Sequence, residues 1–297
     1  MTSPSAPSEP SAPLSSVPAT FTLGGEITVP RLGFGAMQLP GRWTRVVERA
    51  TAVAVARRAV ELGVRFIDTA AFYFSPRARA NDILREALYP YPAGVTVATK
   101  VGPLRDADGE MYAEATPGQI RGLVEENLRQ LRLDTLDLVS LRVGRLGAVG
   151  GVPLGERFAA LAALREEGLV RHLGLSNVSA GQLAEARDIA PVAAVQNRFG
   201  VLGQEDAALV DLCADAGIAY MPFFALGGGH TALEGAGLRT VAERHGATEH
   251  QIALAWGLAR SPSVVQIPGT ASLAHLEQNM AAARLVLDAA DMELLGR

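Results

Sequence analysis

Short apolar runs alternate along the chain with longer stretches of helical periodicity. The apolar runs lie at residues 31–37 (a strand and its exit), 64–67, 95–99, 136–141, 170–175, 192–195, 218–221 and 263–267. Each has the length and apolar character of a buried strand. Between them the pattern predicts helices over 46–62, 81–88, 116–131, 153–167, 179–189, 205–216, 238–245, 248–260 and 272–283, with a short one over 288–295. The stops agree with this reading. Gly63 and Gly168 follow helices as C-terminal glycines, Thr116-Pro117 opens one, and Pro90 ends another. Eight strands, each followed by a helix, predict a parallel sheet closed into a (β/α)8 TIM barrel, an α/β fold. An open doubly wound sheet fits less well. Gly33 and Gly35 begin a G-x-G-x-x-G pattern, but its third position is Gln38. Ahead of the barrel, residues 21–29 read as an N-terminal β-hairpin turning at Gly24-Gly25. Residues 1–20 are mostly Ser, Pro and Ala and are expected to be a disordered tail, with 21–297 a single barrel domain.

In a barrel the carboxyl ends of the strands share one face, where chemistry is kept. The residues there are Asp68, Lys100, Arg142, Ser176-Asn177, Gln196-Asn197, Phe223 and Gly269-Thr270, and Tyr73 lies in the loop just beyond Asp68. Polarity returns at any strand end, but this set is unusually rich in chemistry. Composition sharpens one member of it. Lys100 is the only lysine, and the other basic residues in the count of 27 are arginines. A chain that uses arginine elsewhere and lysine here points to a need for an amine, whose pKa moves with its surroundings.

The remaining composition excludes more than it assigns. Hydrophobic residues make up 48% of the 297, enough for a sizeable core, and the net charge of −4 gives no reason to expect nucleic acid or a membrane surface as a partner. No apolar run approaches the roughly 20 residues of a membrane span. Cys213 is the only cysteine and reads as inert packing; with no secretory signal, a cytoplasmic location is expected. No His, Cys and carboxylate set has metal-ligand spacing. His172 reads as structural, and His230, His245 and His250 as surface. Trp43 would line a pocket or cap the rim, and Gly227-Gly228-Gly229 would approach a pyrophosphate or form plain loop. Nothing in the pattern sets a substrate or an oligomeric state.

The strand-end residues suggest a reaction. A phenol with a pKa near 10 is a weak acid at neutral pH, and an ammonium beside it favours phenolate. Lys100 would so act on Tyr73, with Asp68 holding the ammonium in place. Tyr73 would then donate a proton as hydride reaches a carbonyl carbon. Ser176, Asn177 and Gln196 carry hydroxyl and amide groups suited to a carboxamide, and Phe223 offers a flat face to an aromatic ring. Together these would hold a nicotinamide.

At this point the sequence resembles an aldo-keto reductase. The stretch from Gly63 to Ala70 with Tyr73 is similar to that family's Asp–Tyr segment, Ala98-Thr99-Lys100 to its lysine strand, and Gly174-Leu175-Ser176-Asn177 with Gln196-Asn197 to its carboxamide-binding positions. Phe223, in the run to Leu226 and Gly227, falls where the family stacks an aromatic on nicotinamide. The stretch from Ile267 through Gln278-Asn279 looks like the segment at the adenosine end. The resemblance implies an NADP(H) cofactor and a small-molecule carbonyl substrate. It implies a cofactor set of Ala36, Met37, Asp68, Ser176, Asn177, Gln196, Phe223, Leu226, Gly227, Gly269, Thr270, His275, Gln278 and Asn279, and a catalytic set of Asp68, Tyr73, Lys100 and Arg142. Two positions depart from the family pattern. Arg142 stands where a histidine is usual beside the carbonyl oxygen, and Gly269 and His275 stand where Lys and Arg often meet a 2′-phosphate. Arg142 keeps a second reading open: a nicotinamide-binding barrel performing isomerisation, dehydration or cyclisation on an anionic substrate. A non-enzymatic cofactor sensor is disfavoured by the complete Asp68, Tyr73 and Lys100 set.

Overall fold

The structure is a computed structural model that describes residues 18–41, 46–145, 149–227, 233 and 235–296. Trp43, Gly228, Gly229, His230 and most of the expected tail lie outside the described residues. The chain opens with β1 (Thr20–Leu23) and β2 (Ile27–Pro30), paired antiparallel across the Gly24-Gly25 turn as expected. Thr20 already belongs to β1, and the carbonyls of Pro18 and Ala19 are bonded to Arg31. There follow β3 (Phe34–Gly35), α1 (Arg49–Glu61), β4 (Phe66–Asp68), a hairpin of β5 (Phe74–Ser75) and β6 (Ala78–Arg79), and α2 (Ala80–Leu88). Then come β7 (Thr96–Val101), a hairpin of β8 (Pro103–Arg105) and β9 (Met111–Glu114), α3 (Pro117–Leu131), β10 (Leu136–Arg142), α4 (Gly155–Glu166), β11 (Val170–Ser176) and α5 (Ala180–Ile189). The chain ends through β12 (Ala194–Gln196), α6 (Ala207–Asp215), β13 (Ala219–Tyr220), α7 (Ala236–His245), α8 (Glu249–Arg260), α9 (Leu273–Ala281) and α10 (Ala289–Leu295).

The sheet runs in the order β13-β12-β11-β10-β7-β4-β3, and every pairing in it is parallel. The eighth expected strand is not a regular one. Residues 263–269 close the barrel by single bridges, Tyr220 with Val264, Leu32 with Gln266 and Gly35 with Gly269. Pro268 has no N–H to give a ladder, which shortens regular pairing here. Close approach also matters: a Cβ on Gly35 would lie 2.6 Å from the Ile267 carbonyl, and one on Gly269 would lie 2.7 Å from the Gly35 carbonyl. Helix α1 begins at Arg49 and α4 at Gly155, each later than its pattern predicts. Helix α5 opens with a reciprocal cap. Gln182 N donates to Ser179 Oγ at 3.2 Å, and Ser179 N donates to Gln182 Oε1 at 2.9 Å.

Side chains alternate across each strand, and this places the site. Ile67, Val97, Val139, Leu173 and Val195 point outward into the layer shared with the helices. Phe66, Ala98, Leu138 and Ala194 point inward, where Leu23 and Val29 of the hairpin plug the far end of the barrel. Two residues further along the same faces stand Asp68, Lys100, Ser140 and Gln196, and Arg142 follows Ser140. The inner face therefore turns from apolar to ionisable as the strands reach their carboxyl ends.

Candidate functional site

At that end Lys100 donates from Nζ to both carboxylate oxygens of Asp68, each at 2.6 Å, and to the Thr69 carbonyl at 3.1 Å. Both side chains are buried. Burial works against the ammonium, but Asp68 and Tyr73 together hold the Lys100 pKa above its ordinary value. Thr69 is fixed from behind. Its Oγ1 donates to Asn81 Oδ1 at 2.8 Å, and Asn81 Nδ2 donates to Asn127 at 3.1 Å and Gln130 at 2.9 Å.

The Lys100 ammonium lies 4.9 Å from the centre of the Tyr73 ring. Burial pushes the Tyr73 phenol above its ordinary value, while Lys100 and, more weakly, Arg142 pull it down. The expectation that Lys100 lowers this pKa therefore holds for Lys100 alone, and burial outweighs it. The phenol stays protonated at neutral pH and keeps a proton to give. Gln196 Nε2 donates to Asp68 Oδ1 at 3.3 Å, but Gln196 Oε1 is buried without a hydrogen-bond partner among the described residues. A buried carbonyl oxygen so exposed to loss asks for a donor.

Beside these groups opens a cleft of about 510 Å³. It is lined by Met37, Asp68, Tyr73, Gln196, Phe223, Leu226, Gly269, Thr270, His275, Gln278 and Asn279 of the predicted set. At the end of the cleft lined by Thr270 and His275, Ser272 caps α9, accepting from His275 N at 3.4 Å. Gln38, Pro222, Phe224, Ala225, Pro268 and His250 also line it. None of these stands at a predicted strand end except Pro222 and Pro268, and the exposed His250 comes from the first turn of α8. Ala36 is buried beneath the cleft in a short 3-10 turn.

Other predicted positions are placed differently. Asn177 adopts φ of 62°, and its Nδ2 donates to the carbonyls of Val143 at 2.7 Å and Arg145 at 3.0 Å. Both amide N–H groups are thus spent on the loop after β10. Asn197 is likewise held, by Val178 and Asp206. Ser176 is buried opposite Arg142 in the register. Neither Ser176 nor Gly227 lines the cleft. Tyr220 donates to Asp206 at 2.7 Å, away from the cleft. Cys213 is buried, and burial pushes its thiol up to about 12. A second cavity of about 660 Å³ lies between the β5–β6 and β8–β9 hairpins and reaches Lys100.

Arg142 is half-buried at the end of β10. Among the described residues its one hydrogen-bond contact is a weak one to Met111 Sδ at 4.0 Å. Among the described residues no carboxylate lies within ion-pair distance of it. Burial lowers its pKa and Arg105 adds to that, while Tyr73 and Glu114 oppose it.

The family model described as the aldo/keto reductase family matches residues 31–296. The chain is 47% identical over 274 residues to pyridoxine 4-dehydrogenase of Escherichia coli (strain K12), covering 90% of this chain and 94% of that one. It is 37% identical over 265 residues to an uncharacterised oxidoreductase of Schizosaccharomyces pombe, covering 89% and 84%. Among solved structures it is similar to an aldo-keto reductase from Klebsiella pneumoniae in complex with NADPH, with TM-score 0.79, 25% identity and 94% of each chain covered. A thermostable aldo-keto reductase in complex with the inhibitor epalrestat gives TM-score 0.78 and 27% identity over 93% of this chain and 98% of that one. The chain belongs to the aldo/keto reductase family.

Proposed function

We propose that this protein reduces an aldehyde or ketone to the alcohol with NADP(H), and runs the reverse oxidation, with Tyr73 as the proton donor. The observation that carries this is the buried Asp68–Lys100 pair beneath the Tyr73 ring at the mouth of the cleft. The cleft suits the cofactor. Gln196 Oε1 would accept from a carboxamide, Phe223 would cover a ring, and Thr270, His275 and the start of α9 would meet phosphate. The Klebsiella relative's complex with NADPH supports the choice of cofactor. Bound nicotinamide supplies the hydride.

The chain's own groups handle the proton. Lys100, held by Asp68, faces the phenol and stabilises the negative charge left on Tyr73 as its proton passes to the carbonyl oxygen. Burial keeps that proton in place until a carbonyl accepts it. The name of the Escherichia coli relative supports a pyridoxal-like aldehyde as substrate. The lone buried cysteine suits the reducing cytoplasm. The test is to follow nicotinamide absorbance with NADPH and pyridoxal, alongside simple aldehydes. Stoichiometric NADPH loss with alcohol formation is expected. Product formed without NADPH loss would favour the isomerisation, dehydration or cyclisation reading instead.

A further inference from the structure

The inner face of the barrel carries more positive charge than its own carboxylates neutralise. The register sets Ser140 beside Lys100, and Arg142 two residues further along the same face of β10. At about 3.3 Å per residue, that puts the Arg142 backbone about 7 Å nearer the mouth than Lys100. On β10, between β7 and β11, Arg142 faces Ser176 in the register, its Nη1 reaches Met111 of β9, and its charge is felt at Tyr73. The nearby carboxylates are already committed. Asp68 is bound by Lys100. Glu114 accepts from Gly144 N at 2.6 Å with one oxygen and pairs with Arg157 through the other. Arg105 adds a second guanidinium near the site, its Nη1 donating to the Phe72 carbonyl at 3.3 Å.

A half-buried guanidinium with five N–H donors, for which the Met111 thioether is the one hydrogen-bond partner among the described residues, is costly unless something completes it. A charged oxygen on the ligand would do so, and a planar fork takes such an oxygen or carboxylate with two bonds. The distance matters as well. Tyr73 must meet the reacting carbonyl oxygen, so a group reaching Arg142 has to sit beside that carbonyl and not at the far end of a long substrate.

We propose that Arg142 is a specificity residue that selects carbonyl substrates bearing a negatively charged oxygen next to the reacting carbonyl, as in the phenolate of a 2-hydroxyaryl aldehyde or the carboxylate of a 2-oxo acid. It rests on the reductase reading above and narrows it. A neutral aldehyde still meets Tyr73, but leaves the guanidinium unpaired.

The test uses the full chain, NADPH and matched substrates. Benzaldehyde and 2-methoxybenzaldehyde are compared with 2-hydroxybenzaldehyde below and above the pKa of its phenol, and methyl phenylglyoxylate is compared with phenylglyoxylate. A charge-assisted bidentate contact implies a preference of about tenfold or more in kcat/KM for the charged member, expressed mainly in KM. The phenolate and carboxylate arms tell the two sources apart. Arg142→Gln is expected to remove most of that preference, and Arg142→Lys, which keeps a charge without the fork, to retain part of it. NADPH titration of each variant by fluorescence checks that the barrel is intact. Equal turnover of charged and neutral substrates by the wild type overturns the inference and leaves the reductase reading standing, and that comparison needs no variant to fold. An equal loss with both classes in Arg142→Gln also overturns it, placing Arg142 on the reacting oxygen instead. Failure to consume NADPH with any of these carbonyls defeats the reductase reading, and this inference with it.

Discussion

Lysine occurs once in this chain, and there it forms a buried ion pair. Removing one partner of such a pair strands the other charge in low dielectric, at a cost of about 3–5 kcal/mol. Lys100→Met is therefore expected to lower the urea unfolding free energy by about that amount, with Asp68→Asn in the same chain restoring much of it. Equal stability of the single and double variants would contradict this. Gln196→Leu removes the buried acceptor without disturbing the ion pair's main contact. NADPH affinity, read by fluorescence titration, should weaken about tenfold. At this scale the sequence was legible where a residue's position in a strand decides which way it faces. Asp68, Lys100, Tyr73 and Gln196 stand at or just after strand ends, and period-two alternation turns the three strand residues inward. The partners of the Asn177 amide N–H groups were not legible. An amide at a strand end looks the same whether its N–H groups face a ligand or, as here, the carbonyls of Val143 and Arg145. The net direction of the Tyr73 shift also depends on burial, which no residue list supplies.

The elements that differ from expectation are the short ones. Helices with caps and periodicity were readable to within a few residues. The β5–β6 and β8–β9 hairpins were not, because their strands are two to four residues long, too short for a period to show. They nonetheless shape the surroundings of Lys100 and bring Met111 to Arg142. Gly102, between β7 and β8, has φ of 124°, and a Cβ there would lie 2.2 Å from the Arg142 carbonyl. Backbone occupies that space, so no side chain can swing away. Gly102→Ala is expected to cost more than the about 1–3 kcal/mol of a strained backbone position alone, measured by chemical unfolding. A variant as stable as the wild type would show that β7 and β10 are not held in this register.

At the scale of the whole molecule, the barrel is closed by single bridges and by one buried cation. Arg31 donates to the carbonyls of Val264 at 2.9 Å, Leu258 at 2.8 Å and Pro18 at 3.0 Å, and also to Ser261. Burial lowers its pKa to about 10, which still leaves it charged at neutral pH. The hairpin plug has its own pH sensitivity. His172 of β11 lies under Gly24, and burial lowers its pKa. Arg171 and Arg165 add to this, while Glu26, 3.5 Å away, and Asp137 oppose it. The folded state thus binds this proton less readily than the unfolded chain. The resulting stability is fully present above the unfolded value of about 6.5 and is lost as pH falls through the lower folded value. Unfolding temperature should therefore decline on mild acidification, and His172→Gln should flatten that decline. Among the described residues no helix is long and apolar enough to cross a membrane.

The central claim is that Tyr73, set over the Asp68–Lys100 pair, gives the proton in a carbonyl reduction. The most direct measurement is the turnover of NADPH with a substrate aldehyde by Tyr73→Phe, which removes the acidic proton and keeps the ring. The account predicts a fall in kcat of about 10²–10⁴, the usual worth of a general acid, with NADPH affinity little changed. Turnover by Tyr73→Phe at the wild-type rate would contradict it.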